Sequence, residues 1–441
     1  RSSLNLLKGA RLTTQNLLPL VIETAGEVDV ACGATIDATG RGYAGGQTYP
    51  GATLPGNDSG AGSHMGEGGV SNAAPGSTYG SVYRPQENGG GGRREDRGER
   101  GGGTVRIEAS TIELIGTAAI RANGATATVR GREPGAGGSV WITASAISGE
   151  GVIEADGGNY TDYYDYGHGG GGAIAIEYAS MDAEIFDKLS AKTQDSTTWW
   201  KPGGAGTVYL FGPDSTYGDL VVDNGSYSTP RWTVLPSLGG GEVDTGTDGV
   251  TLVTDLPDAI PAYFVGHWVE VRQADGTLKG TWRIESVNNL TATLEAGANV
   301  AAGDLWQGVY RFDTVTVTDR AKVRSDDPIR TPELQLTNGG ELTAGDVMDS
   351  STVVLGGGTN WSTLWTPVVS TGTVEIGGPV SVRSIEAPLL TVRSGATLSH
   401  PSGGTQRLDL MVTDLVVEDG ASINVTGRGY AGGQTYPGAT I

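Results

Sequence analysis

The chain has 441 residues, 74 of them glycine, one cysteine and a formal net charge of −21. That charge excludes a nucleic-acid partner, because phosphate binding needs a basic face. The lone Cys32 excludes an intrachain disulfide or a Cys-built zinc site, and no apolar run approaches the roughly 18–20 residues of a membrane span.

The opening residues 1–40 read as strand, turn, strand. LNLLKGARLTT and VDVACGATIDA share an apolar alternation that breaks at a Gly-Ala step. Such a glycine fits a bend that needs positive φ, after which a second short strand begins. Cys32 falls in one of these turns and is expected to be a small buried residue. Residues 40–103 carry almost no aliphatic alternation and, taken alone, have the composition of a linker. They lie between strand-forming stretches, and their opening recurs later in the chain. We therefore expect an ordered, glycine-laced excursion with tyrosines stacked against a neighbour. Its run GRREDRGER (Gly92–Arg100) mixes both signs of charge and reads as a solvated or salt-bridged loop.

Residues 101–225 have the clearest rhythm. GGGTVRI, GAGGSVWI, GGGGAIAI and GGAGTVYL begin their strands at Val105, Val140, Ile174 and Val208, spaced 35, 34 and 34. AAIRANG (Ala118–Gly124), GVIEADGG (Gly151–Gly158) and DLVVDNG (Asp219–Gly225) supply a second strand in three of these periods. Only Met181–Trp200 looks helical, with Ile185 and Leu189 one turn apart. Residues 245–312 break the rhythm and read as a β-meander with hairpin turns at Asp275-Gly276 and Asn288-Asn289. Trp268, Trp282 and Trp306 give it aromatic bulk for a core of its own. Beyond it, Val315, Leu334, Val353, Val374 and Leu390 start strands at spacings of 19, 19, 21 and 16.

The end of the chain returns to its beginning. TGRGYAGGQTYPGAT at Thr39–Thr53 recurs letter for letter at Thr426–Thr440, 387 positions later, and the match fades gradually upstream. Self-similarity at a fixed period points to a repeat architecture. The chain reads as one unit of about 387 residues plus the opening of the next. It starts on Arg1 with neither an initiator Met nor a signal peptide, as expected of a window on a longer polypeptide.

Strands at fixed spacing without intervening helices predict an all-β fold: a right-handed parallel β-helix with glycine-rich loop excursions and one inserted small β-barrel or sandwich. The expected domains are 1–244 (β-helix), 245–312 (insert) and 313–441 (β-helix), with 387–441 starting the next copy. GRGYAGG, GAGSHMGEGG, the repeated GGG-x-V-x-I, and GAGTVYL followed by YGDLVVDNG resemble the glycine-rich units of very large bacterial surface proteins. These are broadly similar to filamentous-haemagglutinin-type passengers. The resemblance implies a secreted, cell-surface, structural or adhesive protein, and brings no catalytic residues.

The candidate assembly residues are those of the repeated segment: Gly40, Arg41, Gly42, Tyr43 and Tyr49, with Gly427, Arg428, Gly429, Tyr430 and Tyr436 in the second copy. Their expected partners are neighbouring copies of the same unit. Tyr160, Tyr163, Tyr164 and Tyr166 form a candidate glycan-contacting loop, which keeps a carbohydrate-binding array open as an alternative. A β-helical polysaccharide lyase or hydrolase is the enzymatic alternative, because that architecture hosts such enzymes. Its best candidates are Asp326-Asp327, read as a coil corner paired with Arg324 and Arg330, and the group Asp162, Asp165 and His168. Asn123, Asp156 and Asp223, each following a second strand, are the candidate Ca2+ ligands; their simpler role is to form Asx turns. Trp199-Trp200 is expected to cap a core or dock a neighbour.

Overall fold

The computed structural model describes residues 2–56, 60–161, 167–194, 201–345, 348–403 and 405–435. The architecture is all-β, with parallel sheets. Fourteen strands make one large sheet. In chain order they are β1 (Leu4–Leu6), β2 (Leu20–Glu23), β3 (Glu27–Val30), β4 (Thr104–Leu114), β5 (Ser139–Gly149), β6 (Ala173–Met181) and β7 (Thr207–Phe211). The series continues with β8 (Asp219–Asp223), β9 (Thr314–Thr318), β10 (Glu333–Leu336), β11 (Met348–Leu355), β12 (Val368–Ile376), β13 (Ser384–Val392) and β14 (Asp409–Val417). The sheet order follows the chain, except that β2 and β3 lie end to end against the long β4.

The spacing read from the sequence is the stacking register. Val105, Val140, Ile174 and Val208 lie directly opposite one another in successive strands, as do Ile107, Ile142, Ile176 and Leu210. All eight are buried. Val315, Leu334, Val353, Val374 and Leu390 form the equivalent ladder further along. Parallel in-register pairing brings like side chains over like, so each fully buried aliphatic stabilises by about 1.5–3 kcal/mol.

Two smaller parallel sheets face the large one. The first contains Arg11–Thr13, Thr35–Asp37, Ala119–Arg121, Val152–Glu154 and Leu189–Ser190. The second contains Thr233–Leu235, Lys322–Ser325, Glu341–Thr343, Ser362–Leu364, Pro379–Val382, Thr397–Ser399 and Ser422–Ile423. The corner into each is the Gly-Ala step. Gly9, Gly33, Gly395 and Gly420 all have φ between +73° and +76°, where a side chain would be strained.

The large sheet contains one reversal. Every neighbouring pair is parallel except β7–β8, which pair antiparallel with Val208 opposite Val221 and Tyr209 opposite Leu220. The core changes face at the same place. Ile174, Ile176, Val208 and Leu210 pack into the cluster under the five-stranded sheet. Leu220, Val222, Val315 and Val317 pack into the cluster under the seven-stranded sheet, on the opposite face. Strand direction and core face therefore both reverse at this seam, which amounts to a half turn about the stacking direction.

Three sequence expectations need correction here. DLVVDNG is not a second strand in the small sheet. That position beside Val152–Glu154 belongs to Leu189–Ser190, and Asp219–Asp223 joins the large sheet instead. The helix expected over Met181–Trp200 is one turn, Ala183–Phe186, because β6 takes Met181 and the small sheet takes Leu189; residues 195–200, with Trp199-Trp200, lie outside the described residues. Cys32 is exposed at its turn, with its sulfur 3.4 Å from Thr117 Oγ1.

Between the two stacks, strands from Gly240–Glu242 to Leu305–Arg311 form a separate sheet, antiparallel throughout except where Ile329–Arg330 joins its rim in parallel. Its own core holds Leu252, Val269, Val271, Ile284, Leu294 and Trp306, with Trp282 packed against it. Trp268 and Tyr310 instead belong to the main cluster, so this sheet shares part of its packing with the stack.

Candidate assembly surface

The glycine runs that precede β5, β6 and β7 pack against the excursion 60–103, whose own last residues are the run before β4, and backbone rather than side chain makes the contact. Ala136, Gly137 and Gly138 donate their N–H groups to Gly90, Gly170 and Ala122, at 2.9, 2.9 and 2.7 Å. Gly170, Gly171 and Gly172 likewise donate to Gly62, Gly204 and Ala155. Three consecutive donors serving three different neighbours is the behaviour of an extended chain with three residues per turn. Chains in that form can pack closely only where side chains are missing. A Cβ on Gly102 would stand 1.9 Å from the Ala122 carbonyl oxygen, and one on Gly172 would stand 2.1 Å from that of Gly138. The excursion is thus ordered by hydrogen bonds between runs far apart in sequence. His64 is buried within it, its Nδ1 2.9 Å from the Gly137 carbonyl oxygen, and burial lowers its pKa to about 4.

The first copy of the repeated segment is built into this bundle. Gly42 donates to the Gly101 oxygen at 2.7 Å, Tyr43 to Gly89 at 3.1 Å and Gly46 to Gly92 at 2.8 Å. Gly101 donates back to the Tyr43 oxygen, and the Arg100 guanidinium donates to the Gly42 oxygen at 3.1 Å. Gly40 turns the chain at φ +65° and donates to the Asn123 oxygen. Arg41 accepts at its carbonyl from Leu17 N–H and reaches Asn16 Oδ1 with its guanidinium. Tyr49 is stacked on Tyr79, ring centroids 5.1 Å apart, and edge-on at 5.4 Å to Tyr263, on the 3-10 turn Ala262–Phe264 that packs against the core of the antiparallel sheet. Each such ring pair adds about 0.5–1.5 kcal/mol beyond burial. One tyrosine, present in both copies of the segment, therefore ties the first copy to both the glycine bundle and the turn packed on the antiparallel sheet.

The second copy takes the same local turns. Gly427 and Gly433 have φ of +71° and +81°, against +65° and +74° at Gly40 and Gly46. Thr426 N–H bonds the Asn424 side chain as Thr39 N–H bonds that of Asp37. Gln434 N–H bonds the Ala431 oxygen as Gln47 N–H bonds that of Ala44. Its surroundings differ. Gly429, Gly432 and Gly433 have nothing within 4 Å of an added Cβ, and Tyr430 is exposed. Arg428 lies over the Trp361 ring at 4.2 Å. Tyr436 lies outside the described residues.

The other candidates separate. Tyr160 is only 4% exposed, so it cannot present its ring to a glycan; Tyr163, Tyr164 and Tyr166, with Asp162 and Asp165, lie outside the described residues. His168 is buried. Asp327 is buried too, and it is not paired with Arg324 or Arg330. Its carboxylate accepts from Ser237 Oγ, Leu238 N–H and Gly239 N–H, while Arg330 pairs with Glu270. Asp327 therefore clamps the entry to the antiparallel sheet, and burial raises its pKa to about 6. The GRREDRGER loop is paired within the chain: Arg94 approaches Glu133 at 3.7 Å, and Glu99 meets Arg132 at 2.7 Å.

Asn123 and Asp156 follow neighbouring strands of the small sheet, while Asp223 lies in the large sheet and is linked to them through Lys192; protein donors occupy their oxygens. Asn123 Oδ1 accepts from Asp156 N–H, and Asp156 Oδ1 accepts from Ser190 Oγ and Lys192 N–H. Asp223 pairs with the Lys192 ammonium at 2.8 Å and accepts from Gly225 N–H in an Asx turn. This donor set satisfies the carboxylates without a cation, and among the described residues no group of three or more acidic, His or Cys side chains is gathered for a metal.

Desolvation raises Asp156 from 3.8 to about 6. The folded chain then binds this proton more tightly than the unfolded chain between about pH 4 and 6, so the contribution to stability falls as pH rises through that window. Asp156→Asn removes the titration. Relative to the parent, the variant is expected to gain about 2 kcal/mol between pH 4 and pH 7, the full shift being reduced by partial exposure of the side chain. Urea unfolding of both proteins at the two pH values checks this; a constant difference would rule it out.

Among the described residues no helix is long and apolar enough to cross a membrane. No protein-family model matches this chain, and no curated protein matches it in sequence.

Proposed function

We propose that this chain is a segment of an extracellular, cell-surface fibre or stalk built from tandem repeats, each a right-handed parallel β-helix carrying one small inserted β-domain over about 245–312. Its role is structural and, by its resemblance to bacterial surface proteins, adhesive. The supporting observation is that a single continuous sheet runs from the first copy of the repeated segment to the second. Right-handed winding is the rule for parallel crossovers. Stacking each unit on the next covers the open strand edges that would otherwise associate at random.

The geometry sets a length. Eleven strand-to-strand steps separate β3 from β14, so at about 4.8 Å per step each unit advances the fibre by roughly 50–55 Å. Because of the β7–β8 seam, each unit is also turned by half a revolution relative to the last. Chains carrying one, two and three 387-residue units are expected to lengthen by that increment per unit in small-angle scattering, at constant cross-section. A cross-section that grows with unit number would reject the fibre.

A further inference from the structure

Identical sequence in two environments makes the second copy informative. In the first copy Val28, Val30, Ile36 and Ala38 are fully buried, because β4 and Ala119–Arg121 stack on them: Val28 opposite Ile112, Val30 opposite Leu114, Ile36 opposite Ile120. Their counterparts Leu415, Val417, Ile423 and Val425 are 46%, 44%, 38% and 50% exposed. Met411 adds to the same uncovered end of the stack. The adjoining segment 426–435 keeps the turns of its buried twin without a glycine bundle around it, its contacts being Gly403 N–H to the Arg428 oxygen at 3.0 Å and Arg428 over the Trp361 ring.

We propose that β14, Ser422–Ile423 and the segment Thr426–Thr435 form a preformed docking face whose occupant is a further copy of this chain's own segment 54–124, following in the same polypeptide. The proposal rests on the fibre reading and names the partner surface within it. The occupant's chemistry is set by the face. It must bring apolar residues at alternate positions, as Ile112 and Leu114 do, to cover Leu415 and Val417. It must also bring side-chain-free backbone to meet Gly429 and Gly432, as Gly102, Gly89 and Gly98 meet Gly42 and Gly45. Linkage in the same polypeptide follows from the first copy, where the covering segment begins directly after Thr53. In a separate molecule, residues 54–124 are already occupied by that molecule's own first copy.

The test extends the full chain after Ile441, which stands where Leu54 stands in the first copy, with a second copy of residues 55–124. Amide hydrogen exchange over 415–434 is expected to slow at least 100-fold in the extended chain relative to the parent. Val417→Asp should leave the parent's melting temperature within 1–2 °C and lower a protected transition of the extended chain by several degrees. Equal exchange in the two chains would overturn the docking face. So would protection in the parent that depends on its concentration, which would mean that a separate molecule covers the face. Either result leaves the fibre reading to be judged by the growth of length with unit number.

Discussion

Ile142→Asp is expected to abolish cooperative unfolding of the first stack. Ile142 is fully buried, with Ile107 directly above and Ile176 directly below in the parallel ladder. A carboxylate there loses the aliphatic's transfer free energy of about 2–3 kcal/mol. It also leaves a buried charge with no partner, a further cost of several kcal/mol. Either the charge or its neighbours must leave the core, and the ladder cannot open at one strand alone because each strand is the template for the next. Ile142→Val should cost about 1 kcal/mol, and Ser145→Asp, at an exposed position of the same strand, within about 0.5 kcal/mol. Thermal melts followed by β-type circular dichroism separate the three. An Ile142→Asp protein that melts like the parent would mean that these residues do not form a continuous core.

Gly42→Ala is expected to destabilise by about 2–4 kcal/mol, and Gly429→Ala, the same residue of the same motif, by less than about 0.5 kcal/mol. A Cβ at Gly42 would stand 2.2 Å from the Gly102 carbonyl oxygen and 2.8 Å from that of Gly89, both backbone atoms in a hydrogen-bonded bundle. At Gly429 it would meet nothing within 4 Å. Neither glycine has positive φ, so backbone strain cancels from the comparison and close packing remains. Equal losses at the two sites would show that the motif's glycines serve its own turns and not the bundle. In the extended chain used to test the docking face, Gly429→Ala should acquire the larger loss.

Much of this was written locally. Near-equal spacing from Val105 to Val208 made the ladders legible, because equal connections return the chain to the same point of the stack; the second ladder, at spacings of 19, 19, 21 and 16, keeps the same register with unequal connections. Positive φ at Gly9, Gly33, Gly395 and Gly420 follows from a bend at the same point between a strand of the large sheet and the next strand of a small one, which glycine takes without strain. The repeated segment named itself by identity.

The reversal between β7 and β8 was decided elsewhere. DLVVDNG has the same alternation as the second strands before it, and alternation says which residues face a core without saying which core. Its placement depends on Asp313, far along the chain, whose carboxylate accepts from Thr216, Tyr217 and Gly218 N–H at 2.7, 2.8 and 2.9 Å and holds the turn. The glycine bundle was hidden for a related reason. A glycine run has no side-chain pattern to read, and its order comes from carbonyl partners supplied by segments far away in the chain, such as the Glu67 oxygen that accepts from Gly204 N–H at 2.8 Å. Burial of Tyr160 and Asp327 likewise depends on which distant elements cover them. The sequence by itself determined period, corner and motif, which are properties of consecutive residues. Tertiary structure alone decided direction, covering and which copy of the motif is buried, because those depend on contacts between segments that local propensity does not encode.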